Sequence, residues 1–500
     1  MLAYIQKLIE TLNRQGIRYC HWKSNFYLQA ALSGEGDLDL LVERQQAQVF
    51  ESLVASLGFK RVIEPVQASC PSIWHFYGLD QTTGQLVHLH VYYRLITGES
   101  LLKNYSFPLE GLLLSETESV DGMPVPSAAS ELVVCVLRMM LKHGNLSEAL
   151  LLWRSNENFP AELTQLFKNC LEADYTRILT EYFPTVEPKL FNQCLICLRQ
   201  EQSWWYRWQL ATQLKRQLRP FNRLGTSQTG RLRFQLFAQK LIRRVWKLGK
   251  SKYLASGGAV IAFVGPEATG KSTLVHGTTQ WLEQAFQIRK VHLGKPPATG
   301  LNYLPNLALP WLRQVASRHR KSVVDFKLQQ GEAAKGKAAK GEAEQPAVPK
   351  SWLYALRAVL VAQDRYRLAC EIRRQAVNGR LVICDRYPST IIGAMDSPRL
   401  HLIEGTSWKI RLFNRLTRLE HRIYGQIPPP DLVVQLTVPL KVALQRNRDR
   451  QKFEDEAYVL QRHQQAIVPI YPHTLVISLD TGKSQSDTIQ AARRIVWRAL

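Results

Sequence analysis

The sequence predicts an α/β protein, and three short apolar stretches carry that prediction. They are AVIAFV at 259–264, LVICD at 381–385 and DLVVQLTV at 431–438. Each has the length of a buried strand, and longer segments with helical periodicity lie between them. Strands that alternate with helices in this way form a parallel sheet flanked by helices. We therefore expect a C-terminal α/β domain of this kind at residues 256–500.

With 500 residues, the chain is too long for one hydrophobic core, and we expect three domains at 1–125, 126–255 and 256–500. The eight cysteines are scattered, and the chain begins with an amphipathic helix rather than a secretion signal. Cys194 and Cys197 form a lone C-x-x-C, for which buried thiols are favoured over a metal site. No apolar run reaches the roughly 18 residues that span a bilayer. These features favour a cytoplasmic protein. Peripheral association with a membrane is the alternative.

Residues 1–125 are predicted to form an α/β domain that carries two carboxylates on one strand. A helix at 2–14 and a strand near 16–22 precede a second strand with Asp37 and Asp39. Because side chains alternate along a strand, the two carboxylates lie on one face. Such a pair can hold magnesium ions, and the alternative is the solvent face of an edge strand.

The spacing of Ser24 and Asp37 resembles the nucleotidyltransferase superfamily, which has Gly-Ser on a turn and Asp-x-Asp about a dozen residues later. The resemblance implies a nucleotidyltransferase-like fold for residues 1–125. It also implies a second magnesium site, at Asp37 and Asp39, as an alternative to a purely structural role.

The sequence departs from that superfamily at two places. Lys23 stands where the family has its glycine, and the later strand carries His88 and His90 where the family has a third carboxylate. The missing acid leaves open whether this domain transfers nucleotides. Two histidines without a further ligand are more typical of hydrogen-bonded side chains than of a metal site.

Residues 126–255 are predicted to form a helical region with a basic surface. Residues 201–255 contain 13 Lys or Arg and a single acid, Glu201, in a chain of net charge +24. Charge concentrated in this way indicates a contact surface. The partner of this basic surface could be an anionic membrane, an acidic protein or nucleic acid. The alternative is a helix that packs between domains and exposes a basic face to solvent.

The stretch from Gly265 to Thr273 matches the phosphate-binding pattern G-x-x-x-x-G-K-[ST] without a mismatch. It follows one predicted strand and opens a predicted helix, so its backbone N–H groups can point at an anion. Lys271 adds charge for the outer phosphates, and the Ser272 hydroxyl is placed to bind magnesium. A glycine turn that caps an ordinary helix is the alternative. The predicted nucleotide-binding residues are Gly265, Pro266, Glu267, Ala268, Thr269, Gly270, Lys271, Ser272 and Thr273.

A buried strand that ends in Asp385 follows later in the chain. The carboxyl ends of parallel strands form the ligand-binding edge of a sheet, so we expect Asp385 beside the glycine loop. There it would hold Mg²⁺ together with Ser272, directly or through water. Residues 328–349 are rich in Ala, Gly, Lys and Glu, a composition that predicts a disordered insert.

The glycine loop followed by Asp385-Arg386-Tyr387 resembles the thymidylate kinase family of nucleoside monophosphate kinases, over residues 256–500. The resemblance implies a P-loop kinase fold that uses ATP and Mg²⁺ and phosphorylates an acceptor that already carries a phosphate. The segment at 360–365 matches the family's Asp-Arg helix, whose arginine, here Arg365, holds the acceptor phosphate. The implied catalytic residues, two of them on an arginine-rich lid, are Lys271, Asp385, Arg386, Arg448 and Arg450.

From this resemblance we expect an ATP-dependent phosphotransferase that acts on a nucleoside monophosphate such as dTMP. Two segments, Pro388–Arg399 and Lys295–Gly300, differ from those that shape the nucleobase pocket in that family, and this difference leaves other acceptors open. A kinase for a sugar or another acceptor in surface-polysaccharide metabolism is one alternative. A non-enzymatic module gated by ATP is the other, and a homodimer is left open.

Overall fold

The computed structural model divides the chain into two compact units. Unit 1 contains Met1–Gly257, Glu283–Gln287 and Leu500, and unit 2 contains Gly258–Leu282 and Ile288–Ala499. Both predicted ranges, 1–125 and 126–255, fall within unit 1, and the predicted insert at 328–349 lies outside the described residues. The structure describes residues 1–64, 70, 72–99, 102–143, 159–245, 252–294, 296, 352–449, 455–464, 471 and 474–500.

Unit 1 combines short strands with many helices. Its strands are β1 (Tyr19–His21), β2 (Leu38–Val42), β3 (Lys60–Ile63), β4 (Ile73–Leu79), β5 (Leu86–Tyr92), β6 (Leu95–Thr97), β7 (Tyr105–Phe107), β8 (Thr117–Val120), β9 (Met123–Pro126) and β10 (Tyr253–Leu254). Its helices are Ala3–Arg14, Leu28–Leu32, Ala47–Ser56, Glu110–Ser115, Ala128–His143, Phe159–Lys168, Glu172–Tyr182, Pro188–Arg199, Trp204–Gln217 and Thr226–Val245.

One six-stranded sheet in unit 1 has the order β1-β2-β5-β4-β3-β10. The pairing of β2 with β5 is parallel, and the other neighbours are antiparallel. Leu38 and Leu40 of β2 are buried in a core with Phe50 of the helix Ala47–Ser56. Alternation along the strand therefore places Asp39 on the opposite face of the sheet.

A second core of unit 1 holds the long helix Ala128–His143 among the helices that follow it. Cys194 and Cys197 are fully buried in that core, which confirms the prediction of buried thiols. Farther along, the basic helix Trp204–Gln217 buries one face and leaves Trp205 66% exposed. None of the helices that the structure describes has the length and apolar character needed to cross a membrane.

Unit 2 is built on one parallel sheet. Its strands are β11 (Val260–Val264), β12 (Ile288–His292), β13 (Leu381–Asp385), β14 (Leu432–Thr437) and β15 (Leu475–Asp480). They lie in the order β12-β13-β11-β14-β15, and every neighbouring pair is parallel. The helices are Lys271–Glu283, Trp352–Val377, Trp408–Gly425, Leu440–Arg448, Glu456–Gln464 and Gln485–Ala499. The three apolar stretches that predicted this sheet are confirmed as β11, β13 and β14.

Burial explains why these stretches are uniformly apolar. Every residue of β11 and β13 is buried, because helices cover both faces of a parallel sheet. On one face, Val260 and Val382 pack against Ile372 of the helix Trp352–Val377. The register of this pairing places Phe263 of β11 opposite Asp385 of β13.

Gly265 should tolerate no side chain. Its φ is +153°, and a Cβ atom there would lie 2.6 Å from the carbonyl oxygen of Leu436. We expect Gly265→Ala to lower the free energy of unfolding of unit 2 by about 1–3 kcal/mol, the usual cost of overpacking. Urea titration of the full chain measures this difference.

The matched control for Gly265 is Gly277, inside the helix Lys271–Glu283. A Cβ atom there meets nothing closer than 3.9 Å, so Gly277→Ala should be neutral or stabilising by about 0.5–1 kcal/mol. Equal effects of the two substitutions would contradict the close packing of the loop on β14.

Candidate functional site

The loop that follows β11 is folded tightly on itself. Gly270 and Ala268 have φ values of +84° and +60°. The Thr269 hydroxyl and the Lys271 ammonium both donate to the carbonyl oxygen of Pro266, at 2.9 and 2.6 Å. The helix begins at Lys271, so its first N–H groups open towards this loop. The structure therefore gives the predicted glycine loop the strand, turn and helix that the pattern requires.

Ser272 and Asp385, the two residues predicted to hold a magnesium ion, each offer an oxygen. Ser272 is exposed in the first turn of the helix Lys271–Glu283. Asp385 is buried at the end of β13, and its Oδ1 atom has no hydrogen-bond partner among the described residues. A buried carboxylate oxygen without a donor is costly unless a cation compensates it. Hydroxyl and carboxylate oxygens are the donors that Mg²⁺ prefers, so these residues fit that ion.

Arg386 joins the glycine loop to the segment after β13. Its backbone lies in the left-handed region, with φ of +69°, and its N–H donates to the carbonyl oxygen of Phe263 at 3.0 Å. The guanidinium lies 2.8 Å from a carboxylate oxygen of Glu267 and 3.4 Å from one of Asp396. Glu267 thus has a partner outside the loop, which the glycine pattern alone did not indicate.

Arg365 is engaged inside the protein. Its side chain is 3% exposed, and it donates to the carbonyl oxygens of Leu293 and Gly294, to the Tyr424 hydroxyl and to Asp396. The prediction gave Arg365 direct contact with the acceptor phosphate. Four of its five N–H groups are used in these hydrogen bonds, one of them to Asp396, and the contact with an acceptor phosphate stays a prediction.

A polar cleft of about 530 Å³ lies beside Arg386. The guanidinium of Arg462 lies over the Tyr458 ring, 5.0 Å from the centroid, and its buried Nε has no hydrogen-bond partner within the described part of the chain. Other residues that line the cleft are Glu267, His292, Gly294, Tyr354, Arg386, Gly393, Ala394, Met395, Asp396 and Arg399. Arg399 and Arg462 were not among the predicted site residues, because no local sequence pattern connects them to the glycine loop.

A second cleft, of about 320 Å³, lies on the other side of the glycine loop. Arg446 lines it and donates to the carbonyl oxygen of Thr481 at 2.7 Å, while Lys483 contributes a second cation. Arg448, predicted as a lid residue, is 61% exposed and pairs with Glu456 at 2.6 Å. Arg450 lies outside the described residues. Within the segment that the structure describes, Arg446 is therefore the arginine of the predicted lid that shares a cleft with the glycine loop.

The carboxylates of unit 1 share a face, as predicted, and their partners are one lysine and two histidines. Asp39 lies 2.8 Å from the Lys23 ammonium and 2.9 Å from Nδ1 of His90, and Asp37 lies 2.7 Å from Nδ1 of His88. Burial would raise the pKa of Asp39, but Lys23 and His90 outweigh burial and hold that pKa well below its ordinary value.

The second magnesium site at Asp37 and Asp39 stays a prediction. Lys23 is the cation that pairs with Asp39, because burial lowers the pKa of His90 to about 3 and leaves its ring neutral at neutral pH, and Asp37 is 57% exposed. Among the described residues no group of three or more His, Cys, Asp or Glu side chains could hold a metal ion.

About half of the chain is similar to known proteins. No protein-family model matches the chain. A curated protein of Escherichia coli named uncharacterized ATP-binding protein YghR, found in two strains, is 25% identical over 246 residues, which cover 47% of this chain and 86% of the relative. A solved thymidylate kinase from Candida albicans covers 48% of this chain and 90% of its own, with 16% identity and a TM-score of 0.26. Neither protein is named as a nucleotidyltransferase, so that resemblance is not supported.

We expect Arg365→Ala to lower the free energy of unfolding of unit 2 by about 3 kcal/mol. The substitution leaves Asp396 buried with one weaker partner, and breaking a buried ion pair typically has a cost of this size. Chemical denaturation of the full chain provides the measurement.

Arg448→Ala is the matched control for Arg365→Ala, because it removes an exposed ion pair. Exposed pairs contribute little, so its effect on unfolding should stay within about 0.5–1 kcal/mol. If Arg365→Ala proved equally mild, Arg365 would not hold Asp396 in place, and direct contact with a ligand would regain support.

Proposed function

We propose that unit 2 is an ATP-dependent phosphotransferase. The observation that carries this proposal is the glycine loop, which is placed between two clefts and beside a buried acid with an unpartnered oxygen. One cleft would hold the nucleotide and the other the acceptor. The name of the E. coli relative, an ATP-binding protein, supports the nucleotide.

The glycine loop would hold the nucleotide phosphates. Backbone N–H groups at the start of the helix Lys271–Glu283 attract negative charge, and so does the helix dipole. Lys271 now donates to the carbonyl oxygen of Pro266, and a phosphate would offer its ammonium a charged acceptor instead. Arg446 and Lys483 would neutralise charge on the side of the second cleft.

Ser272 and Asp385 would hold Mg²⁺, since the buried carboxylate has a free oxygen. When bound, the ion would offset the negative charge that phosphoryl transfer spreads over the phosphate oxygens. Asp385 keeps its position because β13 pairs with a strand on each side.

The polar cleft would take a phosphorylated small molecule. Arg386, Arg399 and Arg462 line it against the acids Glu267 and Asp396, so positive charge is in excess. Guanidinium groups bind phosphate through paired hydrogen bonds. A phosphate oxygen of the acceptor would attack the terminal phosphorus of ATP, the bond to the bridging oxygen would break, and ADP would leave.

Arg386 would stabilise the charge that develops in this step, because it borders both the loop and the cleft. Arg448 and Arg450 are proposed to assist as lid residues. For Arg448 this role requires the release of Glu456. Arg365 would act indirectly, through Asp396.

The resemblance favours a nucleoside monophosphate such as dTMP as the acceptor. One observation favours a sugar phosphate instead: two carboxylates, Glu267 and Asp396, line the cleft and can accept hydrogen bonds from hydroxyl groups. Both acceptors place a phosphate near the same arginines. A panel of nucleoside monophosphates and sugar phosphates therefore separates them.

Transfer of labelled phosphate from ATP tests this function. We expect the parent chain to label at least one member of the panel. Lys271→Ala should lower kcat/KM for ATP roughly 100-fold or more, because it removes preorganised charge at the phosphates. Arg462→Ala should raise the KM of the acceptor roughly tenfold while the KM of ATP changes little.

The control for Arg462→Ala is Arg418→Ala, which removes an exposed arginine of the helix Trp408–Gly425 and should leave both KM values unchanged. If the parent chain binds ATP and labels nothing in the panel, the phosphotransferase proposal fails and a module gated by ATP takes its place.

A further inference from the structure

We propose that unit 1 carries a phosphate-binding site that works without a metal ion, at a cluster of Lys23, Lys103 and Arg138. We call these three residues the cationic cluster. The proposal stands on the geometry of unit 1 and does not depend on the function proposed for unit 2.

The two lysines of the cationic cluster converge on one tyrosine. Their Nζ atoms lie 3.4 Å (Lys23) and 3.5 Å (Lys103) from the hydroxyl oxygen of Tyr92. They also lie 5.2 and 5.4 Å from the centroid of its ring. Two ammonium groups that share one hydroxyl repel each other, so this arrangement favours an anion between or beside them.

Arg138 adds a guanidinium with donors to spare. One of its terminal nitrogens donates to the Ser24 hydroxyl at 3.1 Å, whereas its buried Nε has no hydrogen-bond partner in the described part of the chain. Ser24 itself lies in the left-handed region, with φ of +58°. A buried donor without an acceptor costs free energy that a ligand oxygen would recover.

Several acids act on the cationic cluster: Asp37, Asp39 and Glu64 on its lysines, and Glu162 on Arg138. Asp39 pairs with Lys23 and His90. Glu131 accepts two hydrogen bonds from Asn25, and burial raises its pKa to about 7, so it is partly neutral at neutral pH.

Glu162 is a further acid that acts on Arg138. Burial, and after it the neighbouring Lys23, lower the pKa of Lys103 to about 8. A dianionic phosphate would place negative charge beside the two ammonium groups. Its oxygens also match the planar fork of an arginine.

A divalent metal ion is poorly suited to the same place. The Asp39 oxygen that faces the cationic cluster is already within 2.9 Å of two nitrogens, one from Lys23 and one from His90. The ammonium of Lys23 would repel a further cation at this distance. Lys23 therefore takes the position of a counter-ion to Asp39, and phosphate binding here should need no metal.

The cationic cluster is partly open to solvent, since the side chain of Lys23 is 17% exposed and Lys103 and Arg138 are half-buried. A small anion can therefore reach the cluster while its cations remain shielded enough to bind strongly. Charge-assisted hydrogen bonds gain strength in such surroundings.

Calorimetric titration with pyrophosphate in the presence of EDTA tests the proposal. The full chain carries Lys271→Ala throughout, so that the glycine loop does not contribute. We expect metal-independent binding that Lys103→Ala weakens roughly tenfold or more, consistent with the loss of a charge-assisted hydrogen bond. Lys103→Arg keeps the charge and should retain most of the affinity.

Lys7→Ala is the matched control, because it removes an exposed lysine of the helix Ala3–Arg14 and should leave the affinity unchanged. Circular dichroism of each variant verifies that the chain is folded. The absence of binding in EDTA would overturn the proposal, and so would equal affinities of the Lys103→Ala and Lys7→Ala variants. Binding restored only by Mg²⁺ would point to a metal-dependent site instead.

Discussion

The parallel pairing of β11 with β13 is the constraint on which the architecture of unit 2 depends. It aligns Phe263 with Asp385, and the N–H of Arg386 continues the ladder to the carbonyl oxygen of Phe263. One register therefore places a buried acid and a guanidinium beside the glycine loop. A slip along this strand pair would move both groups away from the loop.

A chain of alternating charges extends from this strand end. Glu267 pairs with Arg386, Arg386 with Asp396, and Asp396 with Arg365 of the helix Trp352–Val377. Buried charges persist where they are paired and hydrogen-bonded, as these are. The network ties the glycine loop, the segment after β13 and one covering helix into a single wall of the polar cleft. Such a wall would hold an acceptor at a fixed distance from the nucleotide phosphates.

The features that were predicted well from the sequence are those set by neighbouring residues. The glycine loop, its strand and helix and the acid that ends β13 depend on residues close together in the chain. The roles of Arg365 and Arg462 depend on tertiary contacts, which spacing along the chain does not encode. In unit 1, alternation placed Asp37 and Asp39 on one face, but it did not indicate that Lys23 and His90 lie next to Asp39.

The central claim is that the glycine loop and the polar cleft are two halves of one site. An ATP analogue joined through its terminal phosphate to the acceptor's phosphate would occupy both halves at once. We predict that the full chain binds this compound roughly 100-fold more tightly than ATP. Once the ATP part is bound, the linked acceptor part binds the polar cleft in an intramolecular step. Lys271→Ala and Arg462→Ala should each weaken that binding. An affinity equal to that of ATP, unaffected by Arg462→Ala, would contradict the account.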